Sequence, residues 1–170
     1  MGERRNVVLT GFMATGKTTV GQLLATRLGY EFVDTDAMIE ERHGPIPQIF
    51  AEYGEEEFRR LEREVAAELA GRDGLVVSTG GRLMVDPVNA DALGATGDVF
   101  CLTATVDTIV ARLTAAGTDS RPMLAGHELR ERVAELLAER APAYARFTQV
   151  PTDDHPPTQI AATILSSMSR

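Results

Sequence analysis

A single cysteine, Cys101, serves the whole 170-residue chain, so no disulfide framework can form within it. A reducing compartment follows, and the cytoplasm is expected. Cys101 lies in the apolar run Val99-Phe100-Cys101-Leu102, the setting of a buried strand residue rather than a reactive thiol. Positive charge is also scarce. Lys and Arg number 17 against 25 Asp and Glu, a net charge of −8. A field of that sign disfavours holding a nucleic-acid backbone, and leaves room only for a local basic pocket that takes a small anion. No stretch approaches the roughly 20 apolar residues of a membrane span, so no membrane partner is expected. The apolar run near Met1 is too short for a secretory leader. Gly2 invites comparison with a myristoylation signal, but the sixth residue is Asn6, not Ser or Thr. The three histidines, His43, His127 and His155, have no metal-binding spacing. Repeats, low-complexity tracts and linkers are missing too, and the length predicts one domain, residues 1–170.

What is present alternates strand with helix. Asn6 to Leu9 reads as a buried strand. Lys17 to Leu28 reads as a helix with Val20, Leu23, Leu24 and Leu28 on one face, stopped by Gly29. Phe32-Val33 is a short strand running into Asp34-Thr35-Asp36, and a helix follows to about Arg42 before the break His43-Gly44-Pro45. A short helix begins near Pro47, and a longer one spans Gly54 to Ala70 with the stripe Phe58, Leu61, Val65, Leu69. Leu75 to Val77 is a strand ending in Ser78-Thr79-Gly80-Gly81. Asp86-Pro87 starts a helix, with Asp as the cap. Val99 to Leu102 is a strand, Val106 to Thr114 a helix, Ala115 to Gly126 a loop and Leu129 to Arg140 a helix. Gln149-Val150 is a late strand and Thr158 to Met168 a closing helix. This alternation predicts an α/β fold, a parallel sheet with helices on both faces. With no long apolar face left over, a monomer is expected.

Gly11-Phe12-Met13-Ala14-Thr15-Gly16-Lys17-Thr18 satisfies G-x-x-x-x-G-K-[ST], between an apolar strand and an amphipathic helix. Glycines let the backbone curl so that its N–H groups point at phosphate oxygens, and the helix N-terminus favours negative charge. Lys17 can reach the β- and γ-phosphates and the Thr18 hydroxyl can ligate Mg²⁺. The loop alone does not separate a kinase from another NTPase. The missing N-K-x-D signature disfavours a GTPase.

Asp34 and Asp36 flank Thr35 at the carboxyl end of a strand, where open α/β sheets bind ligands. In an extended segment residues two apart point the same way, which would aim both carboxylates into one cleft. One could stand near the metal and the other accept a hydroxyl proton. The plainer role, capping the next helix, is the alternative. Arg59 and Arg60 lie four residues after Glu55 and Glu56, so surface ion pairs suffice to explain them. Arg140 instead continues the stripe of Leu136 and Leu137, so it either faces a cleft or snorkels at the helix end. Arg121 sits in the polar loop Gly117 to Met123, of a length that suits a lid, where an arginine can neutralise charge on a moving phosphoryl group. Gly80 and Gly81 form either a plain turn or a close backbone approach to a ligand.

Taken together the motifs resemble the shikimate kinase family of small P-loop kinases. GFMATGKTTVGQLLATRLGY, FVDTDAMIE, GPIPQIFAEYGEEEFRRLEREV, STGG, RPMLAG and ERAPAY occur in the family's order. The resemblance implies a three-layer P-loop kinase fold whose five parallel strands run in the order 2-3-1-4-5, with a substrate region at about 34–62 and a lid at about 115–126. It implies ATP with Mg²⁺, and a small carboxylated acceptor, shikimate, phosphorylated on its 3-hydroxyl to give shikimate 3-phosphate and ADP. ATP would be held by Gly11, Ala14, Thr15, Gly16, Lys17, Thr18 and Thr19, with Arg121 closing from the lid and Arg112 and Asp154 flanking adenine. Thr18 and Asp34 would serve the metal, Asp34 through water. Asp36 would bind the acceptor hydroxyls and orient or deprotonate the nucleophile. Arg59 and Arg140 would clamp the acceptor carboxylate, and Gly80 and Gly81 would add backbone contacts. Lys17, Asp36 and Arg121 are then the catalytic set. Two segments depart from the pattern. Arg82 stands where the family commonly has a third glycine, where it would crowd the pocket or add a contact to an anion. The adenine-side segment Pro151 to Pro157 is acidic, without the usual basic residue. Alternatives are a related kinase for another polyol acid such as gluconate, or a nucleotide-binding homologue that has lost catalysis.

Overall fold

Val7, Val8 and Leu9 have no exposed surface at all, because their strand lies in the middle of a sheet covered on both faces. The computed structural model describes residues 4–116 and 127–168, the His127 side chain excepted. Its strands are β1 (Asn6–Gly11), β2 (Glu31–Asp34), β3 (Leu75–Ser78), β4 (Gly97–Thr103) and β5 (Thr148–Pro151). Every pairing is parallel, in the order β2-β3-β1-β4-β5. This is the order expected from the resemblance. Val7 is paired with Val76 of β3 on one side and Asp98 of β4 on the other.

The helices are α1 (Lys17–Leu28), α2 (Thr35–His43), α3 (Ile46–Ala70), α4 (Pro87–Thr96), α5 (Val106–Ala115), α6 (His127–Tyr144) and α7 (Pro157–Ser167). On one face Val8 and Val77 pack against Phe58, Leu61, Val65 and Leu69 of α3 and Leu93 of α4. On the other, Val7, Leu9 and Val76 pack against Val20 and Leu24 of α1 and Ile160 and Ile164 of α7. A third cluster joins Phe12 to Ile109 of α5 and to Leu129 and Val133 of α6. The residues after β1 thus gain an apolar anchor to the two helices on either side of residues 117–126.

The β2 and β3 crossovers lie on one side of β1, and those of β4 and β5 on the other. The loop after β1 therefore opens where the chain changes sides, the place such sheets keep for ligands. Local signals were mostly decisive. Asp86 accepts from the Val88 N–H at the start of α4, and Gly29 ends α1 with φ 66°. The two helices expected around residues 47–70 are joined into α3, bent at Gly54 with φ 84° and ψ 174°. The short 3₁₀ turn Leu83–Val85 carried no sequence signal. The proposed lid, with Arg121, lies outside the described residues except for Ala115 and Ala116, which end α5. No described helix is long and apolar enough to cross a membrane.

Candidate active site

The loop leaving β1 begins at Gly11, whose φ of 133° and distance of 3.2 Å from a hypothetical Cβ to the Leu102 carbonyl carbon leave no room for a side chain. Ala14 takes the left-handed conformation, φ 60°, and Gly16 caps α1 with φ 93°. The Thr15 hydroxyl donates to the Phe12 carbonyl at 2.7 Å, closing the turn. Lys17 folds back over it, and Nζ donates to the carbonyls of Gly11 at 2.7 Å and Phe12 at 3.0 Å. Burial pushes the Lys17 ammonium down to about 8, against the weaker opposing pull of the Asp36 and Asp34 carboxylates. An anion that restored a countercharge would be drawn to it. Thr19 is exposed on the first turn of α1.

Beside this loop opens a cleft of about 560 Å³, lined by Lys17, Thr18, Asp34, Asp36, Arg59, Glu62, Gly80, Gly81, Arg82 and Arg140, with Met13, Ile46, Phe50 and Phe58 as apolar wall. The two aspartates reach it by a route different from the extended one expected. β2 ends at Asp34, and Asp36 is already in the first turn of α2. Asp34 caps that helix, accepting from the Ala37 N–H at 3.0 Å, so the capping role and a place on the cleft wall coexist. Asp36 is pushed above the usual carboxylate range, first by burial and then by the Asp34 and Glu40 charges, with Lys17 and Arg59 opposing.

Gly80 explains how Asp36 fits. A Cβ at Gly80 would lie 2.9 Å from the Asp36 Cγ and 3.0 Å from Oδ2. The Gly80 N–H donates to the Thr35 hydroxyl at 2.8 Å. The Thr35 hydroxyl thus takes up the Gly80 donor. The Gly81 carbonyl accepts from the Tyr144 hydroxyl at 2.7 Å and from Arg140 Nη1 at 3.4 Å. The glycine pair thus fixes two functional side chains through a bare Cα and a carbonyl.

Arg59 does pair with Glu55, at 3.2 Å, but its shorter partner is Glu62 at 2.5 Å. Glu62 is nearly inaccessible, at 2% exposure, and burial holds its carboxyl above the usual range. Sequence reasoning passed over it. The available signal was its spacing, four after Phe58 and three before Val65, which puts a carboxylate on the buried stripe of α3. Arg60 is a surface residue paired with Glu57 and Glu64, not with Glu56 as expected. Arg140 faces the cleft rather than snorkelling, its guanidinium 5.1 Å from the Phe12 ring centroid. Arg82 is on the cleft's rim, 45% exposed, with Nη1 3.6 Å from Glu55.

Arg112 reaches across to the loop itself. Its Nη1 donates to the Ala14 carbonyl at 3.0 Å and the Thr152 hydroxyl at 3.1 Å, and Nη2 to the Thr152 carbonyl at 3.1 Å. Asp154 follows, exposed in a turn with φ 57°. Cys101 is buried, and burial raises its thiol to about 11, as befits an inert strand residue. Among the described residues no group of three His, Cys, Asp or Glu is placed to hold a metal ion. Thr18 and Asp34 supply hard oxygen donors on one wall. That number suits Mg²⁺ carried by a nucleotide, which keeps most of its waters.

A family model described as shikimate kinase matches residues 13–169. The shikimate kinase of Geobacter sulfurreducens is 50% identical over 142 residues, 83% of this chain and 77% of that one. The shikimate kinase of Thermodesulfovibrio yellowstonii is 38% identical over 168 residues, 98% of this chain and 96% of that one. Among solved structures, shikimate kinase from Acinetobacter baumannii in complex with shikimate superposes with a TM-score of 0.85 at 35% identity, covering 96% of this chain and 92% of that one.

Proposed function

The chain belongs to the shikimate kinase family, and on that premise we propose that its cleft transfers the γ-phosphoryl group of ATP to the 3-hydroxyl of shikimate, giving shikimate 3-phosphate and ADP. The observation that carries the reading is the convergence on one cleft of a phosphate-loop lysine, an aspartate and two arginines, Lys17, Asp36, Arg59 and Arg140. Two guanidiniums suit a carboxylate, and a carboxylate of raised basicity suits a hydroxyl.

The acceptor's carboxylate sits between Arg59 and Arg140, which places one of its hydroxyls toward Asp36. Asp36 takes the hydroxyl proton as the oxygen–phosphorus bond forms and the bond to the β-phosphate oxygen breaks, so ADP leaves with the electron pair. Lys17, held over the loop, turns its charge to the β- and γ-phosphates. Gly11, Ala14, Thr15 and Gly16 shape the loop around them. Thr18, and Asp34 through water, would hold Mg²⁺, which when bound would neutralise negative charge on the phosphates. Arg121, at a position beyond the described residues, is proposed to close over the phosphates from a lid at 115–126 and exclude water as a competing acceptor. Arg112 and Asp154 are proposed to border the adenine. Glu62 keeps Arg59 aimed at the cleft, and Arg82 adds a rim cation. We read residues 1–170 as one kinase domain, acting as a monomer in the cytoplasm.

The test is product formation from ATP, Mg²⁺ and shikimate, with gluconate and quinate as parallel acceptors, read by mass spectrometry. A phosphorylated shikimate peak that requires the protein and is lost in Asp36→Asn supports the reading. Phosphorylation of gluconate or quinate alone would replace it with that of a related kinase.

A further inference from the structure

Ala14 is a non-glycine residue in the left-handed region, φ 60°, inside the phosphate loop. For an alanine that conformation is costly, and something must hold it. The group on it is Arg112, from α5, 98 residues along the chain, donating from Nη1 to the Ala14 carbonyl at 3.0 Å. The same guanidinium is anchored at its other end. Nη1 and Nη2 donate to the hydroxyl and carbonyl of Thr152, both at 3.1 Å. Thr152 is itself buried and fixed. Its hydroxyl donates to the Thr103 carbonyl at 2.9 Å, and its N–H donates to the same carbonyl at 2.8 Å. The Asp153 carboxylate next to it accepts from the Thr105 N–H at 3.0 Å, at the start of α5. A planar fork with donors on two sides can span such a gap, and a lysine cannot.

We propose that Arg112 is a positioning residue for the phosphate loop. It holds the strained Ala14 peptide in its ligand-ready form and ties that turn to the Thr103–Thr152 end of β4 and β5. This rests on the ATP-binding reading above, but it differs from a role in touching adenine. The brace acts on the loop's backbone, so its effect must reach any ligand the loop holds, including one with no base.

The experiment is calorimetric titration of the full chain with Mg²⁺–ATP and with Mg²⁺–tripolyphosphate, for the wild type, Arg112→Met, Arg112→Lys, Thr152→Val and Ala14→Gly. Arg112→Met is expected to weaken both ligands, tripolyphosphate by about tenfold, the worth of one hydrogen bond to a charged donor, and ATP by at least as much. Arg112→Lys keeps charge but not the fork, and falls between. Thr152→Val weakens both ligands in the same ratio while leaving Arg112 in place. In an Ala14→Gly background the loss from Arg112→Met shrinks to about threefold or less, because glycine adopts the turn unaided. Thermal unfolding checks that each variant is folded, and if Arg112→Met is not, Thr152→Val and Arg112→Lys carry the same comparison. Loss of ATP affinity with tripolyphosphate affinity unchanged would overturn the brace and make Arg112 a base contact. An equal loss in the wild-type and Ala14→Gly backgrounds would also overturn it. If the wild type bound neither ligand, the ATP-binding reading itself would fall, and the brace with it.

Discussion

Replacing Gly80 with alanine separates catalysis from binding and from folding. The new Cβ would lie 2.9 Å from the Asp36 Cγ, against about 3.4 Å for an ordinary close contact. The carboxylate must therefore retreat by at least half an ångström, and further at Oδ1, the atom nearest the new methyl. Gly80 keeps a conventional φ, so alanine suffers no backbone strain, and the Asp36 carboxylate can turn away into the cleft. The stability cost is then small, about 1 kcal/mol or less. The catalytic cost is not, because a misplacement approaching 1 Å at a reacting group is worth about 10²-fold, or about 2.7 kcal/mol in activation free energy. The assay is steady-state kcat with shikimate and ATP, beside calorimetric affinity for Mg²⁺–ATP and the unfolding midpoint. The expected result is kcat down about a hundredfold with ATP affinity and Tm nearly unchanged. A variant with wild-type kcat would refute the steric link between Gly80 and Asp36. Parallel loss of ATP affinity would refute the assignment of this contact to the acceptor side.

Arg59→Ala leaves Glu62 buried without its guanidinium partner, so it should destabilise the fold by about 3 kcal/mol in denaturant titration. Adding Glu62→Gln should restore much of that stability without restoring the acceptor KM, whereas joint recovery would show that Arg59 does not touch the acceptor. The acid limb of the kcat/KM profile should lie above the ordinary aspartate range, because Asp36 is raised by burial, Asp34 and Glu40. Glu40→Gln should shift that limb to lower pH, and no shift would place the limb on another group. Lys17 has a folded value of about 8 against 10.5 unfolded. Between those values the unfolded chain binds more protons, so stability rises with pH there. Relative to Lys17→Met, the ligand-free wild type should gain up to about 3 kcal/mol from pH 8 to 10.5 in denaturant titrations, and a flat difference would mean the ammonium is solvated.

The sequence determined the layers and the nucleotide end of the site, because the physics there is local. The apolar run Val7-Val8-Leu9 marks a doubly covered strand, Gly29 and Asp86 mark helix ends, and the G-x-x-x-x-G-K-T spacing places Lys17 and Thr18 without any distant contact. Even the bend at Gly54 was legible as a gap between two helices. The acceptor end was legible only by resemblance. Arg59 taken alone is a surface residue with a convenient Glu55, and it was the fold that set it against buried Glu62 and across from Arg140, 81 positions away in the chain. Asp34 and Asp36 were correctly placed at one cleft from a mistaken geometry, since the start of α2 at Thr35 turns the chain sooner than an extended segment would. Nothing in the neighbourhood of Arg112 announces that it bears on Ala14, nor in that of Gly80 that it makes space for Asp36. Those relations are distances between elements whose order in the sheet is not their order in the chain, and sequence separation carries no record of them.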